Sequence, residues 1–109
     1  EVTVYFIRSL GLSLIQLNNF RVQPSAEQVA IIMEPITPLP SKYLPLRETE
    51  HPLYMTTNGA HELGLSVLET NGNMRLYMSL SGGEFGLIPA NVLTGPYGQP
   101  TLPYFGNTV

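Results

Sequence analysis

The sequence contains no cysteine, no tryptophan and no aspartate. Without cysteine the chain can form neither a disulfide nor a zinc–thiolate site, and thiol catalysis is excluded. Without aspartate it also lacks the acids of aspartic dyads, Ser-His-Asp triads and calcium-binding EF-hand loops. Glutamate can replace aspartate in some of these sites, but a chain without cysteine and aspartate lacks many of the residues that catalysis commonly uses, and this composition argues against an enzyme. We therefore predict no hydrolytic or transfer activity and no cofactor.

Charged side chains are also scarce. They make up 12% of the chain, against about 25% in a typical soluble domain, and the formal net charge is only −3. The cations are scattered along the chain and form no stripe; they are Lys42, Arg8, Arg21, Arg47 and Arg75. Because nucleic-acid binding and polybasic membrane anchoring both require clustered cations, we predict neither.

Long apolar runs are missing as well. No stretch approaches the roughly 18 residues that a transmembrane helix needs, so we predict no membrane insertion. Residues 1–8 lack the pattern of a signal peptide, and the sequence does not start with methionine. A length of 109 residues is common for one domain. We expect a single β-rich domain over residues 1–109, excised from a longer chain.

The first third of the chain is rich in strand-forming residues. Residues 1–8, EVTVYFIR, are β-branched and aromatic and place Val2, Val4 and Phe6 on one face. A second apolar stretch follows over residues 12–17. Residues 25–34 have two interpretations: Ser25 and Gln28 fit the capping box of a short helix, whereas the β-branched residues that follow favour a strand over residues 28–34. We favour the strand.

The middle of the chain is a proline-rich segment. Residues 35–52 hold five of the ten prolines. Proline fixes φ and lacks an amide donor, so we expect an extended connection or polyproline II here rather than sheet interior. Pro35 and Pro38 also form a P-x-x-P pair that could dock into an aromatic groove, although structural connection is the simpler interpretation.

The second half gives the clearest pattern. Apolar and polar residues alternate on both sides of Asn71-Gly72, which is a strong turn signal, and predict an antiparallel hairpin over residues 65–80. Residues 81–83 indicate a second turn, and the tail over residues 95–109 is expected to pack irregularly. The predicted fold class is all-β: an antiparallel β-sandwich or partly open barrel with long proline-rich loops.

The two histidines lie among acidic residues, in a neighbourhood made of Glu48, Glu50, His51, His61 and Glu62. Imidazole and carboxylate are possible zinc or manganese ligands. Their spacing matches no known ligand pattern, and solvated loop positions are the simpler interpretation. We predict no metal.

Aromatic residues are the best clue to a surface function. Six of them are expected in loops or on the polar side of strands: Tyr43, Tyr54, Tyr77, Tyr97, Tyr104 and Phe105. Tyrosine is enriched in protein interfaces because it supplies a large contact area. We predict a two-fold homodimer with Tyr97, Tyr104 and Phe105 as anchors, and Tyr43 and Tyr54 as further interface residues.

Residues 83–91, GEFGLIPAN, resemble the end of an SH3 domain, and Leu53-Tyr54 resembles the aromatic motif that opens that family. The likeness implies a peptide-binding adaptor. The sequence departs from the family because it has no tryptophan, which is the main platform of the peptide groove, and too few residues separate the two motifs.

Three segments together resemble the protruding domain of a small icosahedral capsid of the shrimp-nodavirus type. They are the opening EVTVYFIR, the proline segment MEPITPLPSKYLPLRETEHP and the tail GPYGQPTLPYFGNTV. The resemblance implies a β-rich spike on the virion surface that dimerises and contacts a host receptor, either protein or glycan. It implies no catalytic residues. The SH3-like adaptor, which would be cytoplasmic, is the alternative.

Overall fold

A computed structural model of the chain describes residues 2–9, 12–81 and 84–106. These residues form β-strands and one short 3₁₀ helix, with no α-helix among them, so the predicted all-β class is confirmed. The strands are β1 (Val4–Ser9), β2 (Leu12–Leu17), β3 (Ile31–Met33), β4 (Thr49–Thr57), β5 (Ala60–Leu68), β6 (Met74–Ser81), β7 (Glu84–Gly86), β8 (Thr94–Pro96) and β9 (Thr101–Phe105). The 3₁₀ helix spans Ser41–Tyr43.

The strands form two antiparallel sheets. One has the order β1-β2-β9, and the other has the order β3-β6-β5-β4-β8 with β7 paired to β6. The larger sheet curls like half a barrel. Side chains from the inner faces of both sheets form one hydrophobic core, whose buried members are Ile15, Leu17, Leu53, Met55, Leu68, Met74, Leu76, Met78, Ile88, Leu102 and Tyr104. The molecule is therefore a β-sandwich.

Inward-facing and outward-facing side chains alternate strictly along β1 and β2 of the three-stranded sheet. Val4 and Phe6 pack against the core, while Tyr5 and Ile7 point outward. In β2 the inward positions are Ser13, Ile15 and Leu17, which are all buried. The predicted inner face of β1, carrying Val4 and Phe6, is confirmed.

The predicted hairpin over residues 65–80 is present, since β5 and β6 pair antiparallel with Leu65 opposite Tyr77 and Leu68 opposite Met74. Its turn differs from the two-residue type expected at Asn71-Gly72. The backbone amide of Glu69 donates to Asn73 at 2.8 Å and that of Gly72 to Glu69 at 2.9 Å. Only Gly72 has a positive φ, of 92°, so the loop has three residues ending in a left-handed glycine.

The two-residue turn occurs instead at Asn58-Gly59, between β4 and β5. Thr57 pairs with Ala60, and both residues between them have positive φ, 48° for Asn58 and 86° for Gly59. Two left-handed residues in succession define a type I′ turn, which matches the natural twist of a hairpin.

Residues 25–34 adopt the favoured interpretation only in part. β3 is a strand over Ile31–Met33, paired antiparallel to β6. Gln28 makes an isolated bridge to Ile88, and residues 25–34 contain no helical turn. The strand is shorter than predicted, and it pairs on one side with the end of β6 that carries Met74, where β6 itself begins.

The proline segment is shorter than predicted, because β4 begins at Thr49 and includes Pro52. Pro52 pairs with Leu65 of β5, while β8, the neighbour on the other side, reaches only Met55–Thr57. At Pro52, β4 is thus an edge, where a missing amide donor leaves no ladder bond unmade.

We had expected the tail to pack irregularly, but its described residues include two strands. Its first part forms β8 in the six-stranded sheet, and its second part forms β9 in the three-stranded sheet. Pro103 is accommodated because β9 pairs there with Leu14 of β2 on one side alone. Residues 107–109 of the predicted tail lie outside the described residues.

Candidate interaction surfaces

The outer face of the six-stranded sheet carries an exposed apolar patch near the β8 edge. We call Tyr54, His61, Leu63 and Tyr97 the tyrosine face. Tyr54 is directly opposite Leu63, and the Tyr97 amide donates to the Tyr54 carbonyl at 2.9 Å. Tyr54 is 60% exposed and Tyr97 is 54% exposed. Large aromatic side chains therefore stand side by side in solvent on a rigid sheet.

His61 supports one of these tyrosines. Its ring lies 4.2 Å from the Tyr97 ring between centroids, and its Nδ1 is 3.1 Å from Thr56 Oγ1. Because Thr56 is buried and lies directly opposite His61, the imidazole is held at both ends. The Tyr97 ring consequently packs on a side chain that has a defined position.

We had expected both histidines in loops, but both lie in strands. His51 belongs to β4 and pairs with Ser66, whereas His61 belongs to β5 and pairs with Thr56. Five residues of β4 separate the two pairing positions, about 16 Å at 3.3 Å per residue. Within the described residues, no group of three His, Cys, Asp or Glu side chains is placed to hold a metal ion.

A second aromatic pair lies further along the same outer face. The Tyr77 and Phe85 rings stack with centroids 5.0 Å apart. The Arg75 guanidinium lies 5.6 Å from the Tyr77 ring centroid. Arg75 is also within 3.6 Å of a Glu48 carboxylate oxygen and 3.7 Å of a Glu69 oxygen. This end of the face is charged and internally paired, in contrast to the tyrosine face.

The outer face of the three-stranded sheet is a second exposed apolar surface. We call it the aliphatic face, and its members are Tyr5, Ile7, Leu12, Leu14, Pro103 and Phe105. Ile7, Leu14 and Pro103 form one row across the three strands, and Leu12 is opposite Phe105. The remaining outward positions described on β2 and β9 are Gln16 and Thr101, so none of the residues described on this face is charged.

A groove of about 900 Å³ borders the aliphatic face. Leu12, Leu46 and Phe105 line part of it, and Arg47, Glu48 and Glu50 also line it. Leu46 is held beside β9 because its backbone amide donates to the Phe105 carbonyl at 2.9 Å. The aliphatic face therefore continues into a recess with a charged rim.

The structure divides the predicted interface residues among three places. Tyr54 and Tyr97 meet on the tyrosine face, whereas Phe105, 73% exposed, lies on the aliphatic face of the other sheet. The expectation that Tyr104 is exposed is wrong, since it is 2% exposed and belongs to the core. Tyr43 is half-buried, with its ring 5.8 Å from that of Phe6.

Tyr104 and Tyr43 instead join the proline segment to the sandwich. The Tyr104 hydroxyl donates to the Tyr43 carbonyl at 2.7 Å, and Arg8 Nη1 donates to the neighbouring Lys42 carbonyl at 2.9 Å. A Cβ atom at Gly106 would approach that same Lys42 oxygen to 2.7 Å. Burial raises the pKa of Tyr104 to about 12.

Sequence reasoning missed Tyr5, Ile7 and Leu12 on the aliphatic face. The signal was present in β1, where apolar residues occupy the outward positions as well as the inward ones. An antiparallel sheet with one solvated face normally shows polar residues at alternate positions. The absence of that alternation in VYFI indicates a strand with apolar side chains on both faces.

No protein family, no curated protein and no solved structure matches the chain. The described residues contain no helix with the length and apolar character needed to cross a membrane. The two outer faces of the sandwich are the candidate functional surfaces of the chain.

Proposed function

We propose that the chain is the protruding domain of a small icosahedral capsid protein, which dimerises through the aliphatic face and contacts a host receptor through the tyrosine face. The observation that carries this proposal is the uncharged, apolar outer surface of the three-stranded sheet. Contiguous apolar surface of this kind on a soluble protein marks an interaction site.

A second copy of the chain is the partner that best suits the aliphatic face. The face is built from three adjacent strands, so two copies can pack sheet against sheet at the usual spacing of about 10 Å. Since it carries no charge, bringing it against itself creates no like-charge repulsion. A two-fold axis through such a patch gives a closed dimer, the commonest symmetric assembly.

The tyrosine face supports the attachment role. In a two-layer sandwich the outer faces of the two sheets point away from each other, so a dimer formed through the aliphatic face leaves both copies of the tyrosine face accessible. Tyr54 and Tyr97 combine a large apolar ring with a polar hydroxyl, a composition suited to protein and glycan partners alike. On an assembled particle this arrangement corresponds to a spike on the virion surface.

Sedimentation equilibrium at micromolar concentration tests the dimer. We expect a mass of about twice the monomer mass of 12.0 kDa for the unchanged chain, and a monomer for Phe105→Ser with Ile7→Thr, because both substitutions place hydroxyls in the proposed interface. Val29→Thr is the matched control, since the exposure of Val29, 65%, lies between the 44% of Ile7 and the 73% of Phe105, and Val29 belongs to neither face. A monomeric unchanged chain, or a dimer that survives the double substitution, would contradict the proposal.

The alternative function is an SH3-like peptide-binding adaptor. The adjacent exposed rings of Tyr54 and Tyr97 favour it, since proline-rich peptides bind in aromatic grooves. In that case the chain should be a monomer, and a proline-rich peptide should quench tyrosine fluorescence in the unchanged chain but not in Tyr97→Ser. A dimer with no peptide response would contradict the adaptor.

A further inference from the structure

A separate pocket of about 390 Å³ opens at one end of the sandwich, between the two sheets. β1 and β2 form one wall, β3 and β6 form the opposite wall, and the proline segment covers the side. Its lining residues come from these strands, from Val2, from the proline segment and the residue before it, and from the β5–β6 turn. None of them belongs to the tyrosine face or the aliphatic face.

The pocket reaches into the hydrophobic core. Ile15 and Met74 are buried core residues, and Val4, Phe6 and Met33 pack against that core. An apolar cavity of about 150 Å³ is enough to bind benzene, and small-molecule pockets begin near 300 Å³. The observed volume of about 390 Å³ therefore suits a flexible hydrocarbon chain.

The proline segment keeps this space open. Pro35, Pro38 and Pro40 fix φ at three closely spaced positions, which limits how far the segment can collapse onto the sheets. The segment packs closely on Gly72 of the β5–β6 turn, where an added Cβ atom would lie 2.9 Å from Leu39 Cδ1 and 3.5 Å from Pro35 Cγ. This contact limits how closely the segment can approach the turn.

Charge at the pocket identifies the end group of the ligand. Among the described residues that line the pocket, Glu34 is the one that is ionisable, and its side chain is exposed. Thr37 supplies the other polar side chain. A carboxylate at the mouth attracts a cationic group and repels a carboxylate or sulfate, by about 1 kcal/mol at a solvated distance of 4 Å.

We propose that this pocket binds a single-chain aliphatic amphiphile with a cationic end group. The hydrocarbon chain lies between the sheets against Phe6, Ile15 and Met74. The cationic group stays at the mouth beside Glu34. The site is independent of dimer formation, because it uses the inner faces and one end of the sandwich rather than the outer faces.

Three probes with the same chain and different end groups test the proposal: decyltrimethylammonium, decanol and decanoate, each below its micelle concentration. Titration calorimetry gives the affinities, and methyl NMR of the methionines locates the site. Met33 and Met74 line the pocket, whereas Met55 and Met78 do not, so the second pair reports whether the fold is unchanged. We expect shifts at Met33 and Met74 and tightest binding of the ammonium probe.

Glu34→Lys tests the charge. Reversing the charge should weaken the ammonium probe and strengthen decanoate, each by about fivefold or more. Glu27→Lys is the matched control because Glu27 is exposed and outside the pocket, and its ranking of probes should not change. An unchanged ranking in Glu34→Lys would overturn the cationic end group, and probes that leave Met33 and Met74 unshifted would overturn the site.

Discussion

Tyr104 and Phe105 are neighbours in β9 with opposite surroundings. Tyr104 is 2% exposed and Phe105 is 73% exposed, because successive side chains of a strand point to opposite faces. Both residues are aromatic, so composition does not distinguish them. The position of β9 beside β2, with Tyr104 opposite Ser13, decides which one enters the core.

The buried phenol makes the fold sensitive to alkali. Burial raises the pKa of Tyr104 to about 12, whereas the unfolded chain should ionise near 10. Well below pH 10 the Tyr104 phenol is neutral in both the folded and the unfolded chain, so its full contribution to the free energy of unfolding is present. That contribution is lost as pH rises from about 10 to about 12. We expect this group alone to lower the free energy of unfolding by about 2 kcal/mol across that range, measured by urea denaturation.

Tyr104→Phe is the control for that measurement. The substitution removes the ionisable group and the hydrogen bond to the Tyr43 carbonyl, so it should cost about 1 kcal/mol at pH 7. Its denaturation midpoint should then change less than that of the unchanged chain between pH 10 and 12. Equal alkaline losses in both proteins would show that another group is responsible.

The hairpins show which elements are predictable from local sequence. The alternation around Asn71-Gly72 identified β5 and β6 because both strands and their turn are contiguous. The same two-letter signal produced a three-residue loop at Asn71-Gly72 and a type I′ turn at Asn58-Gly59. The pairing register chooses between these turns, and register depends on packing across the whole sheet.

A buried and an exposed leucine of the β5–β6 hairpin, Leu76 and Leu63, can be compared by substitution. Leu76 is fully buried and lies opposite Ile31 and Ser66 in neighbouring strands. We expect Leu76→Ala to lower the free energy of unfolding by about 2–4 kcal/mol through the cavity it leaves. Leu63→Ala in β5 is the matched control: Leu63 is 43% exposed, and the substitution should cost below about 1 kcal/mol. Chemical denaturation measures both.

Strand ends and prolines were harder to predict than strand cores. Proline argues against sheet interior, yet Pro52, Pro96 and Pro103 all lie in strands. Pro52 and Pro103 are placed where the strand pairs on one side. Whether a given strand is an edge follows from the order of strands in the sheet, which joins residues distant in sequence and is not encoded in any short window.

For the whole molecule, the two outer faces should act independently. They belong to different sheets, and they differ in composition: the tyrosine face has two tyrosines and a histidine, whereas the aliphatic face is built mainly from Ile, Leu and Pro side chains with Tyr5 and Phe105. If the proposed function is right, Tyr54→Ser with Tyr97→Ser should leave the sedimenting mass unchanged while removing attachment of the purified domain to receptor-bearing cells. Phe105→Ser with Ile7→Thr should instead lower the sedimenting mass to that of the monomer. If the tyrosine substitutions also dissociate the dimer, the assignment of the faces is wrong.

The candidate surfaces were predictable in kind but not in place. An abundance of tyrosine and a scarcity of charge indicated an interface, and Tyr54, Tyr97 and Phe105 are exposed. Their separation onto two surfaces requires knowledge that β8 joins one sheet and β9 the other. The aliphatic face itself depends on strands from both ends of the chain, since Leu14 lies between Ile7 and Pro103.

The division of the last strands between the sheets also constrains how the domain is made. On the ribosome, β1 and β2 emerge early, but their third partner is Thr101–Phe105, more than eighty residues later. The six-stranded sheet likewise lacks its β8 edge until Thr94–Pro96 has been synthesised. The chain must lose the entropy of closing a loop of that length before the stabilising contacts between these strands form, and this slows folding. The nascent chain should therefore be most dependent on chaperones just before Thr101–Phe105 leaves the exit tunnel.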